Sequence, residues 1–176
     1  MELAISGQHI HKITFRGAMT GHNPTDRGKL GSKRHILTDK EGIPLSTFIT
    51  SANTHDVTVA TNTIDNIVIK RPTSYTSIKC SKQRKKQNLC LDKAYHSKEV
   101  EQEIIKRGYI PHIRHRREDK LFHRKHPARR WVVERTNSWH NRFRKLFTRY
   151  EKKNENYLGL VELANSLIVY RRLILG

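Results

Sequence analysis

LCLDKAYHSKEVEQEIIKRGYIPHI, residues 89–113, decides the fold. The apolar run Leu89-Cys90-Leu91 has the length of a strand and stops at Asp92. SKEVEQEIIKRG (97–108) follows, where the Ser97 side chain can cap a helix and Gly108 can end it. YIPHI (109–113) then reads as the next strand, returning the chain to a sheet. Strand, helix and strand make the βαβ pattern of an α/β domain. Asp92 falls at the carboxyl end of the first strand, where open α/β sheets place their ligands.

Upstream, LAISGQHI (3–10), KRHILTD (33–39) and IPLSTFITS (43–51) read as strands, the last two joined into a hairpin by the turn Lys40-Glu41-Gly42. Residues 56–69 predict a helix capped by Asp56, because Val57, Ala60, Ile64 and Ile67 or Val68 recur near helical spacing. Residues 70–88 are poor in apolar side chains and include Pro72, which predicts an exposed loop. Downstream, Val132, Thr136, Trp139, Phe143 and Leu146 recur at three- and four-residue spacing, so one helix is expected from Ala128 to about Tyr150. Arg130, Glu134, Ser138, Asn141 and Lys145 fall on another face. That face displays Glu134 among donors and cations, where it could reach a metal while basic neighbours hold phosphates. From Tyr157 to Leu175, the positions of Leu160, Val161, Ala164, Leu167, Ile168 and Leu173 predict a last helix packed on the sheet as core.

The chain has 35 Lys+Arg against 16 Asp+Glu, a formal net charge of +19 and a pI near 10.3. Such a field attracts polyanions, and by itself it suits a ribosomal or nucleoid protein equally well. Asp92 and Glu134 shift the balance, each lying where a divalent metal could meet a nucleic-acid backbone. With 176 residues and 35% hydrophobic content, one domain with a modest core is expected. Cys80 and Cys90 flank a basic run and follow no secretory leader, so they read as plain thiols in a reduced compartment. No apolar stretch reaches the roughly 20 residues of a membrane span.

NPTDRGKLGSKRHILTDKEGIPLSTFITSANTHD (23–56), LCLDKAYHS (89–97) and RRWVVERTNSWHNRFRKLFTRYE (129–151), in this order, resemble bacterial insertion-sequence transposases of the IS4/IS5 type. The resemblance spans most of the chain. The resemblance implies a ribonuclease H-like mixed sheet flanked by helices, as one catalytic-core domain over residues 1–176. It also implies two divalent metals, Mg²⁺ or Mn²⁺, held by an Asp-Asp-Glu triad, with Asp92 as the second carboxylate and Glu134 as the third. Arg130 supplies the arginine of an R-x3-E pattern. Hard Mg²⁺ prefers carboxylate oxygen and keeps several waters, leaving room for a scissile phosphate and a nucleophile. The reaction implied is strand cleavage at element ends followed by strand transfer, with double-stranded insertion-sequence ends and target DNA as partners. Lys93, Arg130, Arg135, Arg142 and Lys145 are then expected along the DNA backbone, where they position rather than specify. A cytoplasmic, nucleoid-associated location goes with this reading, as does a homo-oligomer or a mixed assembly with full-length transposase.

The chain departs from the family's pattern at its first strand. A segment resembling I-D-G-S-H-I is expected there, and the chain reads Ile5-Ser6-Gly7-Gln8-His9-Ile10. Ser6 therefore stands in the first carboxylate's place. A neutral hydroxyl brings no charge to bridge two cations, so weaker metal binding, a misplaced nucleophile and impaired cleavage are expected. The alternative is a non-enzymatic basic DNA-binding protein that keeps the fold. Asp26 and Asp39 lie in turn-like surroundings and Asp56 looks like a helix cap, so none is expected to substitute. Met1 stands close before this strand, and the family's upstream DNA-recognition region is expected to be missing. The pattern's tyrosine falls at Pro127 and its later basic residue at Asn141, with Arg142 adjacent.

Other constellations have plainer readings. His112 with His115 and His123 with His126 form two H-x2-H pairs, but no cysteine lies nearby and Arg and Lys crowd the segment. Phosphate-facing histidines are expected there rather than zinc ligands. Trp139 lies on the apolar stripe and reads as core, whereas for Trp131, off that stripe, stacking on a flipped base competes evenly with packing. His55-Asp56 reads as a helix start rather than an acid/base pair. The basic run 79–86 reads as a solvated loop that helps bind DNA nonspecifically.

Overall fold

Asp39 starts a tight turn in the sheet. Its Oδ1 accepts the amides of Glu41 and Ile43 at 2.9 Å each, and Gly42 takes the left-handed conformation at φ +84, which costs glycine no steric strain. This is the expected hairpin, between β3 (Leu30–Asp39) and β4 (Pro44–Ser51). The structure is a computed structural model that describes residues 2–13, 16–24, 26–70, 73–75, 82–84, 86–113 and 130–176.

The βαβ unit is also present. β7 (Gln87–Leu91) leads through a helical turn (Lys93–Tyr95) to α2 (Lys98–Lys106) and β8 (Tyr109–Ile113). Ser97 Oγ accepts the Glu99 amide at 3.3 Å and Gly108 closes the helix at φ +75. The two strands run parallel, from Gln87 opposite Tyr109 to Leu91 opposite Ile113.

β1 (Glu2–Ile13) joins the two halves, antiparallel to β3 and parallel to β7. The main order is β4, β3, β1, β7, β8, with short β2 (Gly21–His22) added beside β3 and β9 (Thr148–Arg149) beside β1. α1 (Ala60–Asp65) and α2 cover one face, where Ala60, Ile64, Val100 and Ile104 pack on Leu3, Ile5, Leu37, Leu89 and Leu91. α3 (Arg130–Asn141), α4 (Arg144–Phe147) and α5 (Asn154–Leu173) lie on the opposite face. There Val133 packs on Ala4, Ile36 and Cys90, and Leu146, Tyr157, Val161 and Ala164 pack on Ile49. A mixed sheet flanked by helices is the architecture expected, consistent with a ribonuclease H-like fold.

Four expectations need correction. Residues 56–69 are not one helix: a helical turn (Asp56–Val59) precedes α1, which ends at Asp65. Asp56 is not the cap, because its carboxylate is buried and paired with Lys33 Nζ at 3.1 Å, and Val68 is drawn back to β4 by a bond from its amide to Leu45 O. The long helix over 128–150 breaks after Asn141, because Thr148 and Arg149 pair with Lys12 and Ile13 and sheet pairing overrides helical periodicity. Residues 70–88 are not wholly loop, since β5 (Thr73–Tyr75) pairs with β6 (Lys82–Arg84) and Gln87 already belongs to β7. The other residues of that stretch lie mostly outside the described ones. Finally, α5 buries Tyr157, Val161, Ala164, Asn165 and Ile168, while Leu167 and Leu173 stay 42% and 61% exposed, so only part of its apolar pattern is core.

Candidate active site

The register between β1 and β7 sets Ser6 beside Asp92. It runs from Glu2 opposite Asn88 to Ile5 opposite Leu91, so Ser6 and Asp92 are the next residues of two neighbouring parallel strands. Directly after Ser6 the β1–β3 register shifts, resuming at His9 opposite Arg34. Irregularities of this kind bend a strand and terminate pairing. Asp92 is only 8% exposed. On α3, Val133 packs against Ala4 and Cys90, each two residues before Ser6 or Asp92, and the next residue, Glu134, is exposed. The structure thus brings Asp92, the backbone of Ser6 and the Glu134 turn of α3 to one end of the sheet.

A buried hydrogen-bonded chain holds the Asp92 loop. The Tyr95 amide donates to Asp92 O at 3.0 Å, and the Tyr95 hydroxyl lies 3.0 Å from His35 Nδ1. His35 Nε2 is 2.9 Å from Thr50 Oγ1. Tyr95 and His35 are both fully buried. Burial, with Lys33 adding to it, pushes His35 down to about 4, so the imidazole is neutral at neutral pH. Burial also raises Tyr95, and Asp56 and Asp92 raise it further. The loop is therefore tied to β3 and β4 by neutral groups. Sequence reasoning missed this tie, although a histidine inside the strand KRHILTD and a tyrosine three residues past Asp92 were its visible signals.

The basic residues differ in what they are free to do. Arg142 and Lys145 are exposed. Arg135 is engaged: its Nη2 donates to Glu41 O, and its guanidinium lies 5.0 Å from the Trp131 ring centroid and 5.2 Å from that of Trp139. Thr136 Oγ1 donates to Gly42 O at 2.6 Å. The β3–β4 turn is thereby clamped onto α3. A Cβ on Gly42 would come within 3.0 Å of Thr136 Oγ1. Lys93 lies in the helical turn after β7 and Arg130 opens α3, with their side chains outside the description. Trp131 is 56% exposed, and Trp139 is half-buried rather than core. His112 lies in β8, whereas His115, His123, His126, Pro127 and Cys80 fall outside the described residues. Asp26 pairs with Lys29 at 3.2 Å, Asp39 binds its own turn and Asp56 pairs with Lys33.

A family model for the transposase DDE domain matches residues 5–168. The chain belongs to the DDE transposase family. It is 35% identical over 155 residues to the candidate transposase for insertion sequence element IS402 of Burkholderia cepacia, across 88% of this chain and 70% of that protein. Membership makes it a DNA transposase in general terms, of a family dependent on divalent metal. The donors fit that metal requirement only in part. Asp92 and Glu134 are hard oxygen ligands, yet among the described residues no group of three or more His, Cys, Asp or Glu could hold an ion. No described helix of this transposase is long and apolar enough to cross a membrane.

Proposed function

We propose that the chain is the catalytic core of an IS5-type transposase, one domain over residues 1–176, impaired in DNA strand cleavage and strand transfer because Ser6 replaces its first carboxylate. The observation that carries this reading is the register that ends with Ile5 opposite Leu91. It makes Ser6 the neighbour of Asp92, where a second anionic ligand would complete a site with Glu134. Divalent metal, Mg²⁺ or Mn²⁺, would supply the charge that activates the nucleophile and stabilises the leaving oxygen. Asp92 and Glu134 remain to hold it, and the hydroxyl of Ser6 offers neither charge nor a bridging oxygen. Lys93, Arg130, Arg142 and Lys145 would hold the phosphates of insertion-sequence ends and target DNA, while Arg135 fixes the β3–β4 turn.

The test is metal-dependent nicking of DNA carrying the element's ends. No cutting is expected from the chain as it stands, and cutting is expected from Ser6→Asp. Cutting by the unchanged chain that disappears in Asp92→Ala would sink the impairment. The incomplete donor set also favours a second reading, a DNA-binding protein that retains the fold and modulates an intact transposase by mixed assembly. Inhibition of a full-length relative, with no activity from Ser6→Asp, is the result that reading requires.

A further inference from the structure

The cleft between α3 and α5 carries chemistry that the Asp92 and Glu134 site leaves unused. Arg142, Arg171 and Arg172 line it, all exposed, with Trp139 beside them and no carboxylate among the lining residues. Phe143, Leu167 and Ile168 supply an apolar floor, and the cavity measures about 420 Å³. Small-ligand pockets occupy roughly 300–1,000 Å³. The Trp139 ring already stacks on planar cations, with the Arg135 and Arg172 guanidinium carbons 5.2 and 5.6 Å from its centroid. Arg135 is fixed by its bond to Glu41 O. Arg172 is exposed in the last turn of α5, so it is the group a flat ligand can displace at small cost.

A duplex would use this cleft poorly. Its phosphates could meet the arginines, but its bases stay paired and would leave the indole and the apolar floor bare. An unpaired nucleotide uses every wall, with a flat base for the indole and floor and a phosphate for the guanidinium forks. Trp139 follows Glu134 by five residues on α3, an axial rise of about 7.5 Å and a turn of about 140°, so the cleft opens on a different flank of the helix from the one that displays Glu134.

We infer that this cleft seats an unpaired nucleotide of a DNA strand, its base against Trp139 and its phosphate among Arg142, Arg171 and Arg172. The inference rests on the DNA reading above but not on catalytic competence, so it is tested by binding in metal-free buffer. In a Trp131→Phe background Trp139 is the sole tryptophan, since the chain has two. A single strand of about 12 nucleotides, within the site sizes of single-strand binders, should quench its fluorescence, and a blunt duplex of equal length should not. The Arg171→Ala/Arg172→Ala double variant lies in the exposed end of α5 and should fold, checked by an unchanged melting temperature. It should weaken single-strand binding by about tenfold or more and reduce the salt slope by about 1.4, with a markedly smaller loss for duplex. Equal losses for both forms would make the cleft part of a general cationic surface and overturn the inference while leaving the DNA reading intact. A mononucleotide that quenches Trp139 as tightly as the oligonucleotide would overturn it in favour of a small-molecule site. Failure to bind either DNA form would count against the DNA reading itself.

Discussion

The two faces of the sheet are filled in different ways. Under α1 and α2 the filling is aliphatic and aromatic, with Leu3, Ile5, Leu37, Leu89, Leu91, Tyr95 and Ile104 nearly or fully buried. Its polar elements are the neutral His35–Tyr95–Thr50 chain and the Lys33–Asp56 pair, whose opposite charges meet at 3.1 Å. Under α3 to α5 the apolar residues fall into smaller clusters, and two arginines are fully buried on this face, Arg34 and Arg149. Arg149 is satisfied by oxygen: Nη1 donates to Ser32 Oγ at 2.6 Å, Nη2 to Ala18 O at 2.8 Å and Nε to Glu151 O at 2.9 Å. Arg34 is not. Its Nη2 makes two long contacts of 3.5 Å to the Asn137 and Asn141 side chains, and its Nε and Nη1 have no hydrogen-bond partner among the described residues. Burial lowers Arg34 to about 10, with Tyr157 opposing the shift. Buried charges are ordinarily paired with the opposite sign, yet neither arginine forms an ion pair among the described residues. The comparison teaches that the face carrying Glu134 and the Trp139 cleft holds fixed positive charge at a cost in stability, while the opposite face supplies the stability.

Three changes would break or sharpen that contrast. The largest effect is expected in the apolar face: Ile104→Ala should lower unfolding free energy by about 2–5 kcal/mol, measured by urea denaturation. A loss below about 1 kcal/mol would mean that this face is not the stabilising one. Next comes pH. The folded His35 value of about 4 lies below the ordinary 6.5, so the unfolded chain takes up the proton first as pH falls. Stability contributed by neutral His35 is complete above about pH 6.5, declines between about 6.5 and about 4, and levels off below that, a span of roughly 3 kcal/mol. His35→Gln should flatten this part of the stability profile. An unchanged slope in that variant would show that His35 does not titrate as a buried neutral group. The smallest effect is expected from Arg34→Met, which removes the unsatisfied guanidinium and keeps apolar volume. Stability should stay within about 1 kcal/mol of the parent or rise, and a loss above about 2 kcal/mol would show that Arg34 is compensated after all.

Where a sequence signal is local, it was legible. Ser97, Gly108 and the run Leu89-Cys90-Leu91 announce the βαβ unit because capping, helix termination and strand burial each act within a few residues. Asp39 to Ile43 announces the hairpin for the same reason. The break after Asn141 was not legible, because it depends on β1 offering an edge to Thr148 and Arg149, far away in sequence. Trp139 carries a core-like spacing, and only the approach of α5 turns it into the wall of a cleft lined by Arg171 and Arg172. Asp56 has the composition of a cap, but Lys33 on another strand claims its carboxylate.

The sequence by itself determined that Asp92 ends a strand, that Glu134 lies on a helix and that the chain resembles an insertion-sequence transposase, since these follow from short-range periodicity and from three ordered blocks. Only the tertiary structure decided that Ser6 becomes the register neighbour of Asp92, that Arg135 clamps a turn instead of standing free, and that two guanidinium groups are buried, Arg34 against α3 and Arg149 against α5. Strand register, helix approach and burial are set by contacts between residues tens of positions apart, and no local pattern in the chain encodes them.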